Sequence, residues 1–172
     1  MKKAFLALAV AALAVFFTAC PGPVEKTKAE LLASPKHGWV LSAAESSPAY
    51  HMASGEYVSN LMNGYLYDYE LDDIISFTVE GVQTLDPGDN IDPEGYGLQE
   101  TITRLYTFDQ TDDEWMYMQV PFIVDAQGEI MQVKCHILNL TEDEFKFNCT
   151  IDDVAAQAKD EYTFTLTYVP AK

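Results

Sequence analysis

Positive charge is scarce in this chain: ten Lys and Arg stand against 27 Asp and Glu, a formal net charge of −17 over 172 residues. A surface with that balance repels phosphate backbones and anionic headgroups, so nucleic acid is excluded as a partner. Catalytic patterns are missing as well. There is no His-Glu-x-x-His, no Gly-x-Ser-x-Gly and no phosphate-cradling Gly-rich loop. The histidines, His37, His51 and His136, stand far apart and have no ligand spacing. Asp86, Asp89, Asn90 and Asp92 are spaced as if for calcium, but the Gly and distal Glu of an EF-hand loop are absent at the required offsets. An acidic turn is the preferred reading there. The chain is thus expected to be no enzyme, and to hold no metal and no cofactor.

Long hydrophobic runs are also lacking, with one exception. After Met1-Lys2-Lys3, residues 4 to 17 carry no charged or polar side chain. That run is too short to cross a bilayer as a permanent helix, and it has the form of a secretory signal behind a basic start. Phe17-Thr18-Ala19-Cys20 then resembles the lipobox of bacterial lipoproteins. The resemblance implies that residues 1–19 are removed and that Cys20 carries the lipid, with 20–30 as a tether begun by the non-helical Pro21-Gly22-Pro23. Several acyl chains, at about 0.8 kcal/mol per buried methylene, anchor stably. The alternative is an ordinary signal cleaved after Ala19, leaving Cys20 free.

Cysteine is sparse too, three in all. If Cys20 is acylated, Cys135 and Cys149 remain as an even pair. Both fall on one face of the segment 131–151, and a hairpin that sets Asn139 opposite Phe145 sets Cys135 opposite Cys149. Either an inter-strand disulfide or two packed thiols fits this arrangement.

Apolar side chains, by contrast, are plentiful at 48%, and their period is two. Ile75, Phe77 and Val79 alternate with Ser76, Thr78 and Glu80; Tyr162, Phe164, Leu166 and Tyr168 alternate with Thr163, Thr165 and Thr167. Met116, Met118, Val120, Phe122 and Val124 form another face, with Pro121 opposite as the mark of an edge or bulge. Eight strands follow, at about 38–49, 73–80, 82–86, 98–108, 114–124, 129–140, 144–151 and 160–169. Joined by hairpins, they suit an all-β, eight-stranded antiparallel up-and-down barrel spanning 31–172, with a two-sheet sandwich as the rival. The connection 50–73 offers both helical and strand spacings, and a short helix or lid over one barrel end is expected there.

The stretches HGWVL at 37–41, DDIISFTVEG at 72–81 and ILNLTEDEFKF at 137–147 resemble the lipocalin-like domains of Bacteroidota-type envelope lipoproteins. This implies a lipid-anchored, calycin-type barrel in the cell envelope, at the outer membrane. Surface-exported relatives carry an acidic cluster just after the lipidated Cys; only Glu25 stands near Cys20 here, which favours the periplasmic face. Gly38 and Trp39 are adjacent where lipocalins have Gly-x-Trp, and this argues against a retinoid- or bilin-type ligand.

Two functions remain. In the first, the barrel takes a small apolar or amphipathic ligand. Met116, Met118 and Phe122 line it, the tyrosines of 57 to 69, Tyr65 and Tyr69 among them, form wall and mouth, and Trp39 serves as core anchor or ligand contact. Arg104, on the face of Ile102 and Tyr106, would hold a ligand carboxylate if inward, with a strand bulge or a salt bridge as the preferred reading. In the second, a solid barrel presents a Tyr-rich surface to a protein or glycan. Asp72 and Asp73 are expected to accept backbone amides at the turn into the second strand. The lipid attachment is checked by palmitate labelling: Cys20→Ser should abolish incorporation and release the chain from membranes, and undiminished label would exclude Cys20 as the site.

Overall fold

The computed structural model describes residues 25–52, 54–125, 127–152 and 161–172. Cys20, the segment 1–19 and the first residues of the tether lie outside the described residues. The chain opens with a short helix, α1 (Lys28–Leu32), and the long strand β1 (Trp39–His51), then β2 (Tyr57–Asn60), a 3-10 turn (Leu61–Asn63) and α2 (Asp68–Leu71). The remainder is strand: β3 (Ile74–Phe77), β4 (Val82–Asp86), β5 (Ile102–Leu105), β6 (Thr107–Phe108), β7 (Trp115–Val124), β8 (Ile130–Leu140), β9 (Phe145–Asp152) and β10 (Glu161–Pro170). All eight expected strands are present, the fourth divided into β5 and β6.

Neighbouring strands run β5-β4-β3-β1-β10-β9-β8-β7-β6, with β2 added on β1. The two ends of this order, β5 and β6, are separated in the chain by Tyr106 alone. One kinked segment therefore pairs with β4 through its first half and with β7 through its second, and the antiparallel sheet curls into an up-and-down barrel.

The kink leaves a seam. Thr107 lies opposite Tyr117 and Phe108 opposite Met116; continuing that register would set Leu105 opposite Gln119. Instead Leu105 turns outward, 67% exposed, and a side chain takes its place. The Gln83 carboxamide donates to the Gln119 carbonyl at 2.7 Å and accepts from the Gln119 amide at 3.0 Å. Gln83 is fully buried, so its amide reproduces the two bonds of a strand residue where no strand reaches. Tyr106 fixes the kink from the other side, its hydroxyl donating to the Thr78 carbonyl at 2.8 Å and its amide to the Gly81 carbonyl at 2.9 Å.

The interior is packed with side chains. Trp39, Leu85, Met116, Met118, Val120, Cys135, Phe145, Phe147 and Leu166 all have 0% exposure. A void large enough to hold water would leave exposed surface on the groups lining it, and these have none. Phe145 is the hub: its ring lies 5.9 Å from Trp39 and 6.0 Å from Phe77, both edge-on, and 4.9 Å from Phe147. Trp39 Nε1 donates to the Leu32 carbonyl at 2.7 Å, which fastens α1 across the barrel base.

The fold reaches back into the segment 20–30, expected as tether. Thr27 and Glu30 form a capping box at the start of α1, and Lys28 Nζ donates to the Asp113 carbonyl and carboxylate at 2.8 and 2.9 Å. The hairpin register also differs: Leu140, not Asn139, faces Phe145. A bulge between Ile137 and Asn139 turns Leu138 outward, and beyond it Cys135 does lie opposite Cys149. Pro121 sits in a second irregularity, between Gln119 and Val124, as the sequence suggests.

Replacing Gln83 by Leu keeps the volume and strands two backbone groups, at a cost of about 3 kcal/mol of folding stability. Gln119→Thr retains the backbone that Gln83 uses and should cost less than about 1 kcal/mol. Urea unfolding of both variants measures the difference, and equal losses would show that the seam does not rest on the carboxamide.

Candidate functional site

The strands differ greatly in length, and the difference makes a site. Ile74 opens β3 opposite Val40, near the start of β1, so β3 and β4 wall only the lower part of the barrel on that side. Above them the wall is made by two irregular segments, 61–73 and 87–101. The first begins where Asn60 Oδ1 accepts the Met62 amide at 3.0 Å. It buries Leu61 and Leu66 in the core and so closes the flank that β3 leaves open. The second buries Leu98. The short helix expected in the connection 50–73 is present as the single-turn α2, preceded by β2 and the 3-10 turn, and the segment walls a flank of the barrel.

Carboxylates tie the two segments together. Asp72 Oδ2 accepts the amides of Asp89 and Asn90 at 3.0 and 2.9 Å. Gly88 packs against Asp72 with φ +66°, and a Cβ there would fall 2.5 Å from the Asp72 carbonyl oxygen, so only glycine fits. Asp86 accepts the Gly88 amide, and Asp92 accepts those of Glu94 and Tyr96, each at 3.1 Å. Their carboxylates serve as turn-formers, in keeping with the acidic-turn reading of this loop. Gly97, at φ +68°, packs against the Tyr69 ring, and a Cβ there would fall 2.7 Å from Cε2, too close to fit unless the ring moved.

Between the segments lies an open cleft of about 340 Å³ lined by Tyr67, Tyr69, Asp92, Glu94 and Tyr96. The Tyr67 and Tyr69 rings stack in parallel, 5.3 Å apart with 7° between their planes. Tyr67 and Tyr96 are 63% and 64% exposed, a large apolar area to leave in water. Burial, and then the charges of Glu70 and Asp92, push the Tyr69 phenol up to about 12, so it stays protonated. A second concavity of about 340 Å³ follows the irregular pairing of β1 with β2; Glu45, Ser46, Ser47, Ser59, Asn60 and Thr165 line it, with no aromatic ring among them.

Of the residues singled out in the sequence, the cleft holds Tyr69. Tyr65 packs edge-on against Tyr50 and Phe164, 4.9 and 6.4 Å away, as part of the inner wall. Trp39, Met116, Met118 and Phe122 are buried in the packed interior and meet no cavity of ligand size. Arg104 does not face inward: it is exposed on β5, its guanidinium donating to the neighbouring Thr103 carbonyl at 3.1 Å, because the kink at Tyr106 swings this strand away from β7. Cys135 and Cys149 are free, buried thiols, and burial followed by the adjacent Cys149 thiol pushes Cys135 well up. Tyr96 and Glu94 are not singled out by the sequence, and Asp92 is, but only as part of an acidic turn. The one signal for them is a tyrosine held between Gly95 and Gly97 in a loop too acidic and Gly-rich to be core.

Asp73 departs from expectation. Asp72 accepts backbone amides, but Asp73 is only 3% exposed and neither of its oxygens has a hydrogen-bond partner. Burial above all, then the charges of Asp72, Glu70 and Asp86, raise it from 3.8 to about 8. A neutral acid is therefore folded in at pH 7, and ionising it costs stability. No protein-family model matches the chain, and no curated protein or solved structure does so.

Because the Asp73 carboxyl is raised, the folded form holds a proton that the unfolded chain has lost between about pH 4 and about pH 8. Its contribution is complete below about 4, declines as pH rises and is gone above about 8. In urea titrations across that range, Asp73→Asn should flatten the decline and gain on the parent at high pH. An unchanged slope would mean that Asp73 is ionised in the fold.

Proposed function

We propose that this chain is a lipid-anchored protein of the cell envelope, of the lipocalin-like lipoprotein kind, that works by non-covalent binding rather than catalysis. Its binding element is the cleft of Tyr67, Tyr69 and Tyr96 on the outside of the barrel wall, and its partner is a protein or a glycan. The observation that carries this reading is the contrast between inside and outside. Met116, Met118 and Trp39, which a ligand within the barrel would have to touch, have 0% exposure, whereas two of the three cleft tyrosines are more than half exposed.

Aromatic rings of this kind suit recognition, since Tyr brings contact area and a hydroxyl with few rotatable bonds. The segments that carry them are held by buried leucines and by carboxylate–amide bonds, so the rings are displayed on a built support. The loss of ordering entropy on binding is correspondingly small. A tether ending at α1 joins the barrel at its base, which leaves the wall above β3 and β4 free to meet a partner in the periplasm.

Photocrosslinking in cells tests the site. A benzophenone side chain at position 67 or 96 should give a defined adduct, and the same group at exposed Val124 should give none. Native mass spectrometry of the Cys20→Ser chain should find no apolar ligand retained without a covalent bond. A stoichiometric apolar ligand, with no adduct from 67 or 96, would return the function to the barrel interior.

A further inference from the structure

From residue 52 to residue 103 the sequence contains no Lys, Arg or His, and 11 Asp and Glu. That stretch is the one that builds the cleft wall. The Lys–carboxylate pairs among the described residues, Lys26–Glu142, Lys28–Asp113 and Lys134–Asp109, all lie elsewhere. Among the described residues no basic side chain pairs with the carboxylates around the cleft.

Resting on the cleft reading above, we infer that the cleft selects an organic cation, an alkylammonium or guanidinium group, received on the outer faces of Tyr67 and Tyr96 with Glu94 as counter-ion. Three features converge on this chemistry. The rings supply π faces, to which a cation is attracted when it lies within about 6 Å of the centroid. Tyr67 and Tyr69 stand too close, at 5.3 Å, to admit a group between them, so the exposed outer faces must be the receiving surfaces. Asp92 is already committed to the amides of Glu94 and Tyr96, whereas the exposed Glu94 carboxylate is free to pair with a cation. A neutral sugar would gain the stacking and hydroxyl–carboxylate hydrogen bonds but no charge pairing with the acidic wall, and an anion would be repelled. The cation can belong to a free amine or to a Lys or Arg of a protein partner; the chemistry recognised is the same.

The full chain bearing Cys20→Ser, labelled with nitrogen-15, is titrated at physiological salt with agmatine, with a short oligoarginine peptide and with maltose. Agmatine or the peptide should shift amides confined to 67–72 and 88–98. Saturation by agmatine assigns a small amine as source, and by the peptide alone a protein. Tyr96→Leu should weaken binding about tenfold and Tyr67→Phe, which keeps its ring, less than about twofold. Glu94→Gln should also weaken it, while Asp92 is left intact because it shapes the loop. Shifts spread equally over the acidic turns 109–113 and 141–144 would reveal undirected charge attraction and overturn the inference. Binding of maltose in place of both cations would overturn it while leaving the cleft as the binding element. No response to any of the three, together with no crosslink from 67 or 96, would remove both.

Discussion

The fold depends on one side chain standing in for a strand. A barrel of this order needs its first and last edges to meet, and here β5 turns away before it can pair with β7. Gln83 supplies the missing donor and acceptor to Gln119 from within the core. A buried carboxamide with both groups satisfied strengthens in the low-dielectric interior, and one left half-satisfied would be worse than a leucine. The arrangement holds because Gln83 lies in β4, two residues from fully buried Leu85, where its rotamer is fixed by packing.

The seam and the cleft are linked. Short β3, β4 and β5 cannot wall the full height of a barrel whose β1, β7, β8 and β10 are ten or more residues long. The remaining height falls to irregular segments, and irregular backbone needs local partners for its amides. Asp72, Asp86 and Asp92 provide them, which explains in part why this side is acidic. The same shortage of strand exposes tyrosines that a regular sheet would have turned inward by alternation.

Alternation made the barrel legible. Where a strand buries one face, the period of two in residues such as Phe164, Leu166 and Tyr168 leaves no other reading, and even the division at Tyr106 falls inside an expected strand. Arg104 shares the apolar face only if the ladder is flat; the irregularity preferred for it is the kink, which moved its backbone out of line. The pairing of Asn139 with Phe145 misled, since a single bulge residue cannot be seen in a pattern of apolar positions. The interior residues Met116 and Met118 look alike in a hollow and in a packed barrel, for size complementarity across the core has no sequence period. The cleft was half-visible through Tyr69, but its other wall, Tyr96, lies more than twenty residues on in a loop whose path is set by the carboxylates it caps.

Arg104 gains a role from where it stands. With β7 unavailable to it, β5 carries backbone groups along an outer edge that a strand of another molecule could pair with, and Leu105 beside it is apolar and open. A single cation, folded onto the strand's own carbonyl at Thr103, occupies that edge. The charge blunts edge-to-edge association where β5 parts from β7, so that copies meeting at this seam are kept from pairing strand to strand.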